Sequence, residues 1–288
     1  MNLSRKVITA MITPFKHFGE LDKKFLPAFM EFQRRCGVDG VLAAGTTGEG
    51  PSLSLDERKR LLDNVIPFRG DFAVIVGTGA SSLPDAIHMS KYASDMGADA
   101  LLALPPFFFR NAPAQGLAHY FLRLLDSSDL PVLLYNIPQF TGIDVTHDIL
   151  ELIGSHPNLI GIKDSGTDKQ NTLDLIARRK DLQIFIGNDF VIANGLSAGA
   201  AGIISGTASA FPDLIVGAYH AYESGNNLQE AQNKLDLLLQ IITRYPAISV
   251  FRSILTLRGM ERTWARPPLV DLSNFEETEL YRELKVYL

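Results

Sequence analysis

Short runs of β-branched and aliphatic residues alternate with helix-period segments along most of the chain. The strand candidates are Val7–Thr13, Val41–Ala44, Phe72–Val76, Ala100–Leu104, Val132–Tyr135, Leu159–Lys163, Ile184–Ile186 and Gly202–Ser205. Most are apolar at nearly every position, as strands covered on both faces must be. Helices are predicted at Phe25–Cys36, Pro84–Met96, Gln115–Leu125, Val145–Ile153, Asp168–Arg179 and Asp189–Ala198. Another opens at Ser54, where Ser54 and Glu57 fit a capping box. Ser82 is a plausible N-cap with Pro84 just inside its helix, and Gly97 ends that helix.

Strand starts recur about every 20–35 residues, the length of a βα unit. Eight strands, each followed by a helix, predict an α/β protein folded as a (β/α)8 TIM barrel. An open doubly wound sheet is the competing architecture, but no G-x-G-x-x-G follows the first strand. From Pro212 onward the pattern is mainly helical: Asp213–Ser224, Asn227–Tyr245, Ala247–Arg258 and Glu276–Val286. The expected division is a barrel over 1–225 and a small C-terminal helical region over 226–288 packed on it.

Composition narrows the field. Of 288 residues, 46% are hydrophobic and 20% charged, which supplies a full core and a soluble surface. The net charge of -5 and the lack of a basic stripe argue against nucleic acid. No segment reaches membrane-spanning length. The one cysteine, Cys36, allows no internal disulfide, which fits the cytoplasm. The N-terminal apolar run is short and interrupted by Pro14, so it reads as a first strand rather than a signal peptide.

In a TIM barrel, chemistry sits at the C-terminal ends of the strands. Strand two ends in Gly45-Thr46-Thr47-Gly48-Glu49-Gly50, a turn whose N–H groups and hydroxyls suit a carboxylate. Strand five ends in Tyr135-Asn136-Ile137-Pro138, placing a phenol able to pass a proton. Strand six, Leu159-Ile160-Gly161-Ile162-Lys163, ends in a lysine. Burial disfavours an ammonium, and a neutral amine can attack a carbonyl to form a Schiff base. Strands seven and eight end in Gly187-Asn188-Asp189 and Gly202-Ile203-Ile204-Ser205-Gly206, with glycines leaving room for a ligand. If the barrel forms, an anion cradle, a proton relay and an amine meet on one face.

With these motifs in place, the chain resembles the dihydrodipicolinate synthase / N-acetylneuraminate lyase family of class I pyruvate-dependent aldolases. Gly45-Thr46-Thr47-Gly48-Glu49, Tyr135-Asn136-x-Pro138 and Gly161-Ile162-Lys163-Asp164 carry the resemblance. It implies Lys163 as the Schiff-base lysine, Tyr135 as proton donor and acceptor, and Thr46 as the relay hydroxyl. It implies Thr47 as a ligand for the pyruvate carboxylate, with the Ile204 backbone lining the site; Gly187, at the end of strand seven, is a further candidate to leave room for the substrate. It also implies a homo-oligomer, tetramer or dimer, and no cofactor. The six histidines form no ligand-spaced cluster, so no metal is expected.

The acceptor aldehyde is harder to read. Synthases of the family carry a Tyr-Tyr pair after strand four, but this chain has Phe107-Phe108-Phe109 there, and phenylalanine cannot relay a proton. The synthases also place an arginine just after Tyr-Asn-x-Pro, where this chain has Phe140. Gly48-Glu49-Gly50-Pro51-Ser52-Leu53-Ser54 and Arg266-Pro267-Pro268 instead resemble the 2-keto-3-deoxygluconate aldolases. Arg110 and Arg244 are candidates to hold a distal carboxylate or phosphate. The expected reaction is cleavage of a 2-keto-3-deoxy sugar acid to pyruvate and an aldehyde. The alternatives are dihydrodipicolinate synthesis from pyruvate and aspartate semialdehyde, a metal-dependent aldolase, and a non-catalytic keto-acid-binding protein.

Overall fold

The computed structural model describes residues 6–288. Eight parallel strands pair in sequence order and close on themselves, β8 returning to β1. They are β1 (Val7–Ala10), β2 (Gly40–Ala43), β3 (Ala73–Gly77), β4 (Ala100–Ala103), β5 (Val132–Asn136), β6 (Leu159–Asp164), β7 (Gln183–Ile186) and β8 (Gly202–Ser205). The helices are α1 (Leu26–Arg35), α2 (Leu55–Val65), α3 (Leu83–Asp95), α4 (Ala114–Asp126), α5 (Pro138–Thr141), α6 (His147–Ile153), α7 (Lys169–Arg178), α8 (Ile192–Ser197), α9 (Pro212–Glu223), α10 (Leu228–Ile242), α11 (Ser249–Leu257) and α12 (Asn274–Leu284). The chain is a (β/α)8 barrel, as its alternation of runs predicts.

Local chemistry sets the element ends. Ser54 and Glu57 form the expected capping box at α2, and Ser82 caps α3. The first strand is shorter than Val7–Thr13. Beyond Ala10 only Met11 N still bonds β2, at Leu42 O, and the Thr13 hydroxyl donates to Gly48 O at 2.5 Å. The last helix starts earlier than Glu276, because Ser273 and Glu276 make a second capping box. The short α5 lies outside the predicted elements; Pro138 fixes its first turn.

Two apolar layers follow from the closed sheet. One fills the barrel and includes Ile8, Leu42, Ile75, Leu102, Leu133, Phe185 and Ile204. The other lies between strands and helices. In β6 the alternation slips. Val132 of β5 pairs with Leu159, but Leu133 pairs with Gly161, which leaves Ile160 as an extra residue. Leu159 and Ile162 both face the helices, while Ile160 faces the barrel interior. Strict alternation from Leu159 would send Lys163 outward; the bulge turns it inward. Gly161 is required here, since a Cβ would run into the carbonyl oxygen of Gln183 on β7.

After α9, the chain packs back on the barrel. Gln232 on α10 accepts from Ala193 N (2.9 Å) and donates to Asp189 O (3.0 Å). Arg266 pairs with Glu57 at 2.8 Å and donates to Ser52 O, tying the last segment to the start of α2. Among the described residues no helix is long and apolar enough to cross a membrane.

The hydrogen bond from Arg266 holds the Glu57 carboxyl at about 2, below its ordinary 4.5. A depressed carboxylate contributes stability that is complete above its unfolded pKa and lost as pH falls toward its folded one. Melting temperatures of wild type and Glu57→Gln should therefore differ most above pH 4.5 and converge as pH drops toward 2. A gap that stays constant across that window would contradict the pairing.

Candidate active site

At the C-terminal mouth of the barrel lies a cavity of about 720 Å³, a size suited to a small molecule. Its floor is built from strand ends. Tyr135 and Lys163 stand side by side in register on β5 and β6, with Phe185 next on β7. The Lys163 amine lies 3.1 Å from the Tyr135 hydroxyl and 4.2 Å from the centre of its ring. Both side chains are about 3% exposed. The Thr46 hydroxyl lies 3.5 Å from the same phenol oxygen. Thr47 lines the cavity beside it.

The residues after each catalytic candidate explain the motifs. Asn136 points the other way from Tyr135 and ties three segments together. Its amide donates to Asp164 Oδ1 at 2.7 Å and its oxygen accepts from Val145 N at 3.0 Å. Asp164 also accepts from the Thr172 hydroxyl on α7. The polar partner of each inward side chain thus clamps the loop outside it. Gly187 is needed for space: a Cβ there would collide with the Ser165 hydroxyl and come within 2.8 Å of Lys163 Cε. Gly206 likewise leaves room for Thr47, whose Oγ1 would sit 2.8 Å from an added Cβ.

Six of the eight residues singled out in the sequence fall in this cavity or in the barrel interior. Thr46, Thr47, Tyr135, Lys163 and Gly187 line it. Ile204 is fully buried in the barrel interior, and Gly206 and Thr207, two and three residues further on, form part of the wall. The two arginines stand elsewhere. Arg110 is exposed and runs beside Gly142. Arg244 is more than half exposed and ion-paired with Glu283. Neither is among the residues lining the cavity.

Other lining residues carry no role assigned from the sequence, although Asn188 and Asp189 stand in the strand-seven end Gly187-Asn188-Asp189. Ser165, Thr167 and Lys169 follow β6, and Asn188 and Asp189 follow β7. Their position after a strand end was the available signal. Asp189 is buried, which pushes its carboxyl above the usual range; hydroxyls of Thr207 and Ser205 and the charge of Lys163 oppose the shift. Phe140, which stands where synthases of the family carry an arginine, lines the cavity as part of its apolar wall. Opposite the barrel, Leu239 and Ile242 of α10, Phe251 of α11 and Tyr245 between the two helices close the wall. Nothing in their periodicity separates a helix facing a ligand from one facing a core.

The sequence profile of the dihydrodipicolinate synthetase family matches residues 3–287. The chain belongs to that family. Dihydrodipicolinate synthase family members are class I pyruvate-dependent lyases and aldolases that form a lysine Schiff base, and this chain is of that class. It is 39% identical, over 96% of its length and 94% of the relative's, to an uncharacterized DapA-like lyase of Chloroflexus aurantiacus. It is 32% identical, with the same coverage, to a 4-hydroxy-tetrahydrodipicolinate synthase of Methanothrix thermoacetophila. Among solved structures it resembles the dihydrodipicolinate synthase of Acinetobacter baumannii complexed with pyruvate (29% identity, TM-score 0.92, 98% of each chain). It also resembles a 2-keto-3-deoxygluconate aldolase variant of Sulfolobus solfataricus (27% identity, TM-score 0.90, 98% and 95% coverage).

The tight space around Gly187 gives a direct check. Gly187→Ala should leave the barrel folded, with a cooperative melt, but displace Ser165 or the Lys163 stem. Pyruvate should then fail to raise the melting temperature of the variant while raising that of wild type. Equal stabilisation of both would show that the amine has more room than described.

Proposed function

We propose that Lys163 forms a Schiff base with pyruvate and that the enzyme cleaves a 2-keto-3-deoxy sugar acid to pyruvate and an aldehyde, reversibly. The observation that carries the chemistry is the buried Lys163 amine 3.1 Å from the Tyr135 hydroxyl, with Thr46 beyond it. In the proposed reaction, the free amine attacks the ketone carbon of pyruvate. Tyr135 returns a proton to the carbinolamine oxygen, which leaves as water, and Thr46 relays the exchange. The protonated imine draws electrons from the methyl carbon, which loses a proton and becomes an enamine. That carbon adds to the aldehyde; the reverse path cleaves the 4-hydroxy-2-keto acid. Thr47 and the Gly45–Gly50 turn are suited to hold the carboxylate.

The acceptor follows from what the cavity contains. Phe140 stands in the wall at the place where synthases of the family carry an arginine, so no guanidinium there meets a semialdehyde carboxylate. Arg110 and Arg244 do not line the cavity either, and its one lining cation besides Lys163 is the exposed Lys169, which favours an acceptor without phosphate. Hydroxyl and amide groups of Ser165, Thr167, Asn188 and Thr243 suit the hydroxyls of a sugar-derived aldehyde. The names of the relatives favour the second reading, condensation of pyruvate with aspartate semialdehyde. A non-catalytic keto-acid-binding role leaves the full Thr46, Tyr135 and Lys163 set without a purpose.

In this reading the barrel over 1–225 supplies the chemistry and the region over 226–288 completes the acceptor wall. A homo-oligomer, dimer or tetramer, fits the family and the exposed Phe108 and Phe109 rings. The single Cys36 fits a reducing cytoplasm.

A coupled assay separates the two acceptors. The sugar-acid reading predicts pyruvate release from unphosphorylated 2-keto-3-deoxygluconate, faster than from its phosphorylated form. Fast condensation with aspartate semialdehyde and no cleavage of 2-keto-3-deoxygluconate would reverse the ranking.

A further inference from the structure

The threonine turn after β2 is attached to the far end of the chain by a pair of charges that the reaction itself does not use. Glu49 and Arg252 form an ion pair with both side chains only 1% exposed. Arg252 is on α11, 203 positions away in sequence. Its guanidinium also donates to Thr263 Oγ1 (3.0 Å) and Thr13 O (2.9 Å). The second carboxylate oxygen of Glu49 accepts from Arg266 N at 3.2 Å. Thr263 in turn brackets Phe15, accepting from its N–H at 2.8 Å and donating to its carbonyl at 2.9 Å.

The turn needs such a hold. Ala44 and Glu49 bracket it, and both have left-handed backbones, with φ of 54° and 53°. That region is unfavourable for residues with a Cβ, so surrounding contacts must enforce it. Inside the turn, Glu49 N donates to Thr46 O (3.0 Å) and Gly50 N to Gly45 O (2.9 Å). Thr46 and Thr47 therefore stand on a loop whose exit is fixed by Arg252. The residue before Arg252, Phe251, lines the same cavity. One buried pair thus joins the pyruvate end of the cavity to its C-terminal wall.

We propose that Glu49 and Arg252 are positioning residues: their pair holds the Thr46–Thr47 turn in its pyruvate-binding shape and registers it against α11. The inference rests on the Schiff-base reading above, because it acts through the Thr46 and Thr47 hydroxyls. Breaking one partner alone strands the other as a buried charge, so the informative variant removes both charges together. Met in place of Arg252 and Gln in place of Glu49 keep the volumes similar.

The test needs no aldehyde. Enamine formation exchanges the methyl protons of pyruvate with deuterium in D2O, and proton NMR follows the loss. Wild type should exchange, with saturation in pyruvate. Glu49→Gln/Arg252→Met should melt cooperatively, require about tenfold more pyruvate for half-maximal exchange through Thr47, and lose about threefold in maximal rate through Thr46. In a Thr47→Val background, the same pair of changes should add less than about twofold, because the turn no longer has its ligand to position. Should the double variant not fold, Arg252→Lys carries the test, since it keeps the charge and loses the fork. An unchanged pyruvate requirement in a folded variant, or full additivity with Thr47→Val, would overturn the inference alone. Absence of exchange in wild type would overturn it together with the Schiff-base reading.

Discussion

The site depends on a phase slip of one residue in one strand. β6 enters the barrel with Leu159 facing the helices, and a regular strand would keep Lys163 on that same side. The extra residue at Ile160 reverses the order, and the amine ends beside the Tyr135 phenol in the barrel mouth. Closure of the sheet then does the rest. Because every strand points the same way around the ring, the ends of β2, β5, β6, β7 and β8 converge on one opening. The interior below is filled by aliphatic side chains and Phe185, so the amine sits on a dry floor rather than in a pore.

Around that floor, the outward residues act as clamps. Asn136 and Asp164 are chain neighbours of Tyr135 and Lys163, and they bond to one another across the two strands. Asp164 extends the clamp to Thr172, and Asn136 extends it to Val145. This gives a physical reason for motifs longer than the reacting residue itself. The tyrosine or lysine needs a neighbour that faces away and fixes the loop behind it. Glu49 belongs to the same logic at the end of β2, with its partner drawn from α11 rather than from the next strand.

Much of this was legible in the sequence, and the reasons differ by element. The near-continuous apolar strands and the spacing of the βα units were sufficient for the barrel. Ser54 and Glu57 announced a helix start through chemistry that is local and repeats across proteins. Thr46, Thr47, Tyr135 and Lys163 could be found because a TIM barrel displays strand ends. The β6 bulge was not legible: Ile160 and Gly161 look like ordinary members of an apolar run. Arg110 and Arg244 offer the sequence only their charge, and charge does not say on which side of a loop a long side chain lies. The buried role of Arg252 was hidden for the same reason, since its partner lies 203 residues away.

The central claim is a covalent bond at one nitrogen, and reduction of the imine tests it most directly. Wild-type protein treated with pyruvate and borohydride, then digested, should yield a peptide containing Lys163 that is heavier by one reduced pyruvate. The adduct should be absent when pyruvate is left out. An unmodified Lys163, or an adduct on another lysine such as Lys169 at the cavity rim, would contradict the account.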